Sequence, residues 1–211
     1  MKKILTLVLF LTVISSSLLL TSCKDSILDP GTVANPNYYE YEISLKEYIL
    51  PADSNAFNAL TGRIVADLSG DRDIEMPDSS GGSGHMYLRS GDGTNPTDVI
   101  GYETKFTTGW NISHAAFDTL STYYNNTGAI TPLDFTSHTT FRFDVGIANP
   151  YLAYGFYLKG RSEALANGYN IYGMLYIDTI ETLPNGSRRV TLHVKLNTHG
   201  LNDFRPYVPV S

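Results

Sequence analysis

Three sets of side chains in this sequence could do chemistry: an acidic run, a scatter of histidines and one thiol. The run spans Asp67 to Asp78, and within it Asp71, Asp73 and Glu75 alternate. An extended loop would turn their oxygens to one side, as a hard cation such as Ca²⁺ requires. Met76 stands where an EF-hand-type loop needs Gly, and Arg72 offsets part of the charge. The expectation is therefore a solvated loop without a metal. The neighbouring Ser79-Ser80-Gly81-Gly82-Ser83-Gly84-His85 nearly spells a nucleophile elbow, but His85 occupies the position where that turn requires Gly. It lacks the Gly-Lys-Ser/Thr of a phosphate loop as well, so it reads as a flexible surface loop. The five histidines, His85, His114, His138, His193 and His199, show no HxH or HExxH spacing that would bring two imidazoles to one metal locally. Only long-range pairing in the fold could unite them, at a metal or a haem. His193 shares a strand parity with Thr191 and Lys195, opposite Leu192 and Val194, and is expected on a wet face. No cofactor and no metal site are expected.

Aromatic side chains offer a different chemistry, because Tyr and Trp rings stack on sugars while their polar tips join hydrogen bonds. Most rings in a Tyr-rich β-protein pair across strands or fill the core. Tyr38, Trp110, Tyr151 and Tyr157 lie in loops or out of phase with the apolar faces. Of these, Trp110, Tyr151 and Tyr157 are the expected contacts if the protein binds a glycan.

The thiol belongs to Cys23, the single cysteine of the chain, so disulfides contribute nothing. Ahead of it, Lys2 and Lys3 form a positive start and Ile4 to Ile14 an apolar run of export-signal length. Ser15, Ser16 and Ser17 interrupt the run before the ~20 apolar residues of a membrane-spanning helix are reached. Leu20-Thr21-Ser22-Cys23 resembles the lipobox of bacterial lipoproteins. The resemblance covers only the leader and implies cleavage between Ser22 and Cys23, after a diacylglyceryl group has been placed on the thiol. Two acyl chains, each CH₂ contributing about 0.8 kcal/mol, would hold such a protein stably on a bilayer. Cys23-Lys24-Asp25 is similar to the start of surface-exported lipoproteins of the Bacteroidota. That likeness implies an outer-membrane protein, anchored by lipid and open to the cell surface. Asp25-Ser26-Ile27, Asp118-Thr119-Leu120 and Asp178-Thr179-Ile180 resemble the O-glycosylation sequon of the same bacteria.

These groups must be carried by a folded domain. The chain has 211 residues, which less the first 22 leave 189, enough for one substantial core. Hydrophobic residues at 42% and charged residues at 17% exclude a disordered chain. Removing Lys2 and Lys3 leaves 13 basic against 21 acidic side chains, a balance of −8 that makes nucleic acid an unsuitable partner. Fifteen Tyr and nine Phe favour strands over helices.

Residues 23–37 carry Pro30, Gly31, Asn35 and Pro36 without periodicity and read as a lipidated tether after the signal peptide of residues 1–22. From Lys24 to Asn37 it could reach ~50 Å from the lipid. Residues 38–211 are expected to form one domain. Period-two alternation marks strands at Tyr39 to Leu45, Leu60 to Leu68, Ile100 to Phe106, Phe141 to Ile147 and Tyr154 to Leu158. Ile171 to Ile180 is apolar on both parities, as in a central strand covered on two sides. Leu183-Pro184-Asn185-Gly186 then supplies a hairpin turn before Val190, Leu192, Val194 and Leu196 alternate. One helix is expected between Ile112 and Tyr124, through Ile112, Ala116, Leu120 and Tyr123, capped by Asn111 or Ser113. The sum is an all-β fold, an antiparallel β-sandwich or flattened barrel of about eight strands with one short helix, and a core including Ile43, Ile64, Phe141, Phe143, Leu192 and Val194.

Catalysis needs convergent acid, base or nucleophile groups, and no motif supplies two with local geometry. A lipid-anchored binding or accessory protein, facing an extracellular glycan or another envelope protein, is thus the expectation. The alternatives are a hydrolase with dispersed residues and a structural or adhesion component docked on an envelope partner. Anchoring is tested directly. Metabolic labelling with a fatty acid should mark the wild type and not Cys23→Ala, which should be released or mislocalised; an unlabelled wild type would remove the lipid anchor.

Overall fold

The computed structural model describes residues 32–47, 55–66, 69–76, 86–91, 101–107, 109–123, 153–159, 161, 171–200 and 202–209, and the backbone alone of 140–143. Thr32–Ala34 (β1) pairs antiparallel with Tyr207–Pro209 (β12) as a two-stranded ribbon. This ribbon belongs to one compact unit and Pro36–Pro206 to another. Strand β1 lies in the stretch read as a tether, because three residues among Pro, Gly and Asn are too few to show a period.

In the larger unit, Tyr38–Lys46 (β2), Glu103–Phe106 (β7), Ala153–Lys159 (β9), Ile171–Thr182 (β10) and Arg188–Asn197 (β11) form a long sheet in the order β2-β11-β10-β9-β7. Ala56–Asn58 (β3), Arg63–Val65 (β4), Ile74–Glu75 (β5), Met86–Ser90 (β6) and Thr140–Phe143 (β8) form a short sheet, ordered β4-β3-β5-β6-β8. Every pairing is antiparallel. One core joins the sheets: Ile43, Leu45, Phe156, Leu175, Leu192 and Val194 from the long sheet pack with Phe57, Ile74, Met86 and Leu88 from the short one. The all-β sandwich expected from the alternation is the observed fold.

The hairpin forms as its residues dictate. Gly186 N–H donates to Leu183 O at 2.9 Å, Leu183 N–H donates to Ser187 O at 2.7 Å, and Gly186 has φ +85°. This is a β-turn closed by a left-handed residue, with Pro184 at the corner where its fixed φ fits. The strand it launches from, β10, is third of five and buried at every position from Ile171 to Ile177. Ile171, Leu175 and Ile177 face the sandwich core, while Tyr172, Met174 and Tyr176 lie in a second cluster with Ile112, Phe117, Tyr123 and Phe204 on the outer face. Two glycines make room for rings on the two faces. A Cβ at Gly173 would lie 2.2 Å from the Phe156 ring, and one at Gly155 would lie 3.0 Å from Tyr123.

Three expectations are corrected. Leu60 to Gly62 is a turn, with Gly62 at φ +64°, so the strand phase resets at Arg63; Val65 is buried and Ile64 is 40% exposed. The helix is shorter, His114–Thr119 (α1), and buries Phe117 rather than Ala116, although Ser113 caps it by accepting from Ala116 N–H at 3.2 Å. The acidic run is no solvated loop where it is described. Arg72, Asp73 and Glu75 are buried, Arg72 Nε donating to Glu75 Oε2 at 2.7 Å, with Arg89 on the other oxygen of Glu75 and Arg161 beside Asp73 at 3.4 Å. The carboxylates that suggested Ca²⁺ are thus spent on arginines. The side chains of Phe141 and Phe143 lie outside the described residues.

The close approach at Gly173 gives a stability prediction. Gly173→Ala should cost about 1–3 kcal/mol by overpacking against Phe156, measured by denaturant unfolding. Adding Phe156→Leu should recover part of that loss, because the shorter side chain vacates the space.

Candidate functional site

The outer face of the long sheet needs cover where β10 presents Tyr172, Met174 and Tyr176. Residues 109–123 supply it. Trp110 bridges to Ala153 beside the sheet, its N–H donating to Ala153 O at 2.8 Å. At the other end, Tyr123 N–H donates to Asn202 Oδ1 at 2.7 Å and the Tyr123 hydroxyl donates to Gly173 O at 3.1 Å. Helix α1 lies between these ties. Its six residues fall well below the ~12–15 an isolated helix needs, so its stability is tertiary. Phe117 contributes roughly 1.5–3 kcal/mol by burial. The ammonium of Lys195, on β11 and 1% exposed, donates to the carbonyls of Phe117 at 2.9 Å, Asp118 at 2.7 Å and Leu120 at 3.3 Å. Phe117 O also accepts from Leu120 N–H at 3.0 Å, and a cation at the negative end of the helix supplies a donor to the carbonyls that follow it. Burial pushes the Lys195 ammonium down from its usual range, against the pull of Glu40 and Asp118.

Docked this way, α1 lays His114 and Asp118, one turn apart on the same face, over His193 of β11. His114 Nε2 stands 3.3 Å from His193 Nδ1. Asp118 Oδ1 is 3.3 Å from His114 Nε2 and 3.3 Å from His193 Nδ1. Two further carboxylates complete the cluster. Glu40 Oε1 of β2 is 2.7 Å from His193 Nε2, and Asp178 Oδ1 of β10 is 3.2 Å from His114 Nδ1. Asp178 falls at a register break of the β10–β11 ladder, between Ile177 and Thr179. The bulge lets Ile177 and Ile180, three apart, both reach the core, with Asp178 in the irregular step. Tyr176 stacks on the His114 ring at 5.1 Å, and Phe117 meets His193 edge-on at 5.4 Å.

The electrostatics follow from these contacts. Hydrogen bonding to Glu40 raises His193 above the ordinary imidazole value, against burial, and the same bond holds Glu40 below the usual carboxylate range. Burial and then Glu40 push the Tyr38 hydroxyl upward. The side chains of His114 and Asp118 are 41% and 48% exposed and that of His193 12%, so the cluster is rooted in the sheet and open on its outer side. His114, Asp118 and His193 each offer a donor atom within 4.8 Å of the others and could hold a metal ion.

His193 is therefore not a wet surface residue, because the helix covers its strand face. Trp110, Tyr157 and Tyr38 are half-buried against the outer aromatic cluster, with Tyr157 5.3 Å from Tyr172. Ser22, Cys23, Tyr151, His85 and His138 lie outside the described residues. Thr119 and Thr179 of the sequon-like triplets are exposed. The residues missed by sequence reasoning are His114, Asp118, Glu40 and Asp178. The i, i+4 spacing of His114 and Asp118 within an expected helix was the available signal.

Lys195 holds the cover in place, and its removal should show that. Lys195→Met should cost about 1–3 kcal/mol by leaving carbonyls unsatisfied. Hydrogen exchange should quicken at residues 114–120 and stay unchanged in the β10–β11 hairpin; equal loss in both would mean the lysine supports the whole sheet instead. No family model, curated protein or solved structure matches this chain, so the site is read from its own geometry.

Proposed function

We propose that this protein is a lipid-anchored, non-catalytic binding protein of the bacterial envelope whose ligand is a cation, held on the outer face of the long sheet by the cluster around His114 and His193. One observation carries the reading: Glu40, Asp118 and Asp178 converge on two imidazoles rather than on arginines or lysines. Elsewhere the carboxylates of Glu47, Asp71, Asp73, Glu75 and Glu103 each meet an Arg or a Lys. Lys195, the cation under the cluster, is engaged with helix carbonyls. When the imidazoles are neutral the three acids outnumber the nearby Lys195, and a half-open site with surplus negative charge favours a positive ligand.

The lipobox-like leader supports a site outside the cytoplasm, tethered at Cys23. The test is equilibrium dialysis of the full chain in detergent against simple metal cations, organic ammonium ions and neutral oligosaccharides. Saturable uptake of a cation, weakened by Glu40→Gln with Asp178→Asn, is the expected result. Uptake of oligosaccharide alone, abolished by Trp110→Ala, would replace this reading with glycan capture.

A further inference from the structure

The three donor atoms form a triangle whose sides are each 3.3 Å: His114 Nε2 to His193 Nδ1, His114 Nε2 to Asp118 Oδ1, and His193 Nδ1 to Asp118 Oδ1. Donors about 2.0–2.1 Å from a tetrahedral ion lie ~3.3–3.4 Å apart, which is the spacing around four-coordinate Zn²⁺. An octahedral Mg²⁺ at about 2.0–2.1 Å would draw neighbouring donors to ~2.9 Å. Ca²⁺, with its longer bonds, tolerates the wider spacing but takes oxygen ligands. Two of the three donors here are imidazole nitrogens, which suit Zn²⁺, Cu²⁺ and their neighbours.

A second observation, independent of the triangle, points the same way. Each histidine turns one ring nitrogen into the triangle and the other onto a carboxylate, His193 Nε2 onto Glu40 at 2.7 Å and His114 Nδ1 onto Asp178 at 3.2 Å. A carboxylate on the far nitrogen fixes the tautomer and raises the basicity of the ligating one, the usual support of a metal-bound imidazole. The five backing and ligating residues come from four elements, α1, β2, β10 and β11, three of which are strands of one sheet. Such a site is held by rigid elements rather than by a loop.

Resting on the cation-binding reading above, we infer that His114 Nε2, Asp118 Oδ1 and His193 Nδ1 are three protein ligands of a tetrahedral Zn²⁺ site. Glu40 and Asp178 are its positioning residues. The fourth corner is filled from solvent or by an incoming donor, since the His114 and Asp118 side chains are both partly exposed. The backing carboxylates raise the basicity of the imidazoles, which strengthens retention of the ion.

The experiment uses the full chain in detergent, stripped with chelator, titrated with Zn²⁺ by calorimetry and with Co²⁺ by visible absorption. One equivalent of each should bind, and the cobalt form should show the intense bands of four-coordinate Co²⁺. His114→Ala and His193→Ala should each abolish binding, and Glu40→Gln should weaken it by about 10- to 100-fold. Circular dichroism of each variant checks that the sheet is intact; should His193→Ala unfold, His114→Ala at the exposed start of α1 decides alone. Weak six-coordinate cobalt bands, or zinc binding untouched by the histidine variants, would overturn the inference. Binding of Mg²⁺, Ca²⁺ or an organic cation without Zn²⁺ would overturn it while leaving the cation reading in place. Failure of every cation would end both.

Discussion

The outer architecture depends on one constraint: β10 is apolar on both faces. A strand in a two-layer sandwich can bury only one parity against the opposing sheet, and Tyr172, Met174 and Tyr176 occupy the other. Leaving three large side chains in water would forfeit several kcal/mol of burial. Residues 109–123 and Phe204 are therefore folded down as a partial third layer. Helix α1 exists because that face must be covered, and Lys195 exists, buried, because the end of so short a helix needs a donor. The juxtaposition of His114 and Asp118 with His193 is a consequence of this cover.

Two charge clusters in the same unit illustrate how differently a protein uses ionic groups. Arg72, Arg89 and Arg161 meet Glu75 and Asp73 around β5, the middle strand of the short sheet, mostly out of water. Arg161 also lies 4.0 Å over the Tyr102 ring. Charges so deeply buried must be mutually neutralised, and removing one partner typically costs about 3–5 kcal/mol. Such a network fixes the geometry of β5 and offers nothing to a ligand. On the outer face, the acids meet imidazoles that can be neutral, protonated or metal-bound, and part of the cluster is open. Compensation there can come from a proton or an added cation, which suits the cluster to the binding role proposed above.

The sequence by itself determined the class of fold and much of its long sheet. Alternation marked β2, β7, β9 and β11, double-sided apolarity marked β10 as central, and Leu183-Pro184-Asn185-Gly186 placed the hairpin, since each signal depends only on residues a few positions apart. It failed at Leu60 to Val65, where a turn with Gly62 at positive φ resets the phase, and at α1, where six residues are too few for a helical period to identify Phe117 as the buried one. Tertiary structure alone decided the site. His114 and His193 are 79 positions apart, and Glu40 and His193 153. Ladder register β2-β11-β10 and the docking of α1 set those distances, and neither is written in any local pattern. The same holds for the acids of the Asp71 to Glu75 run: composition showed the charge, but only packing showed that Arg89 and Arg161 join the neighbouring Arg72 on Glu75 and Asp73, while Glu40, Asp118 and Asp178, scattered along the chain, were gathered around two histidines.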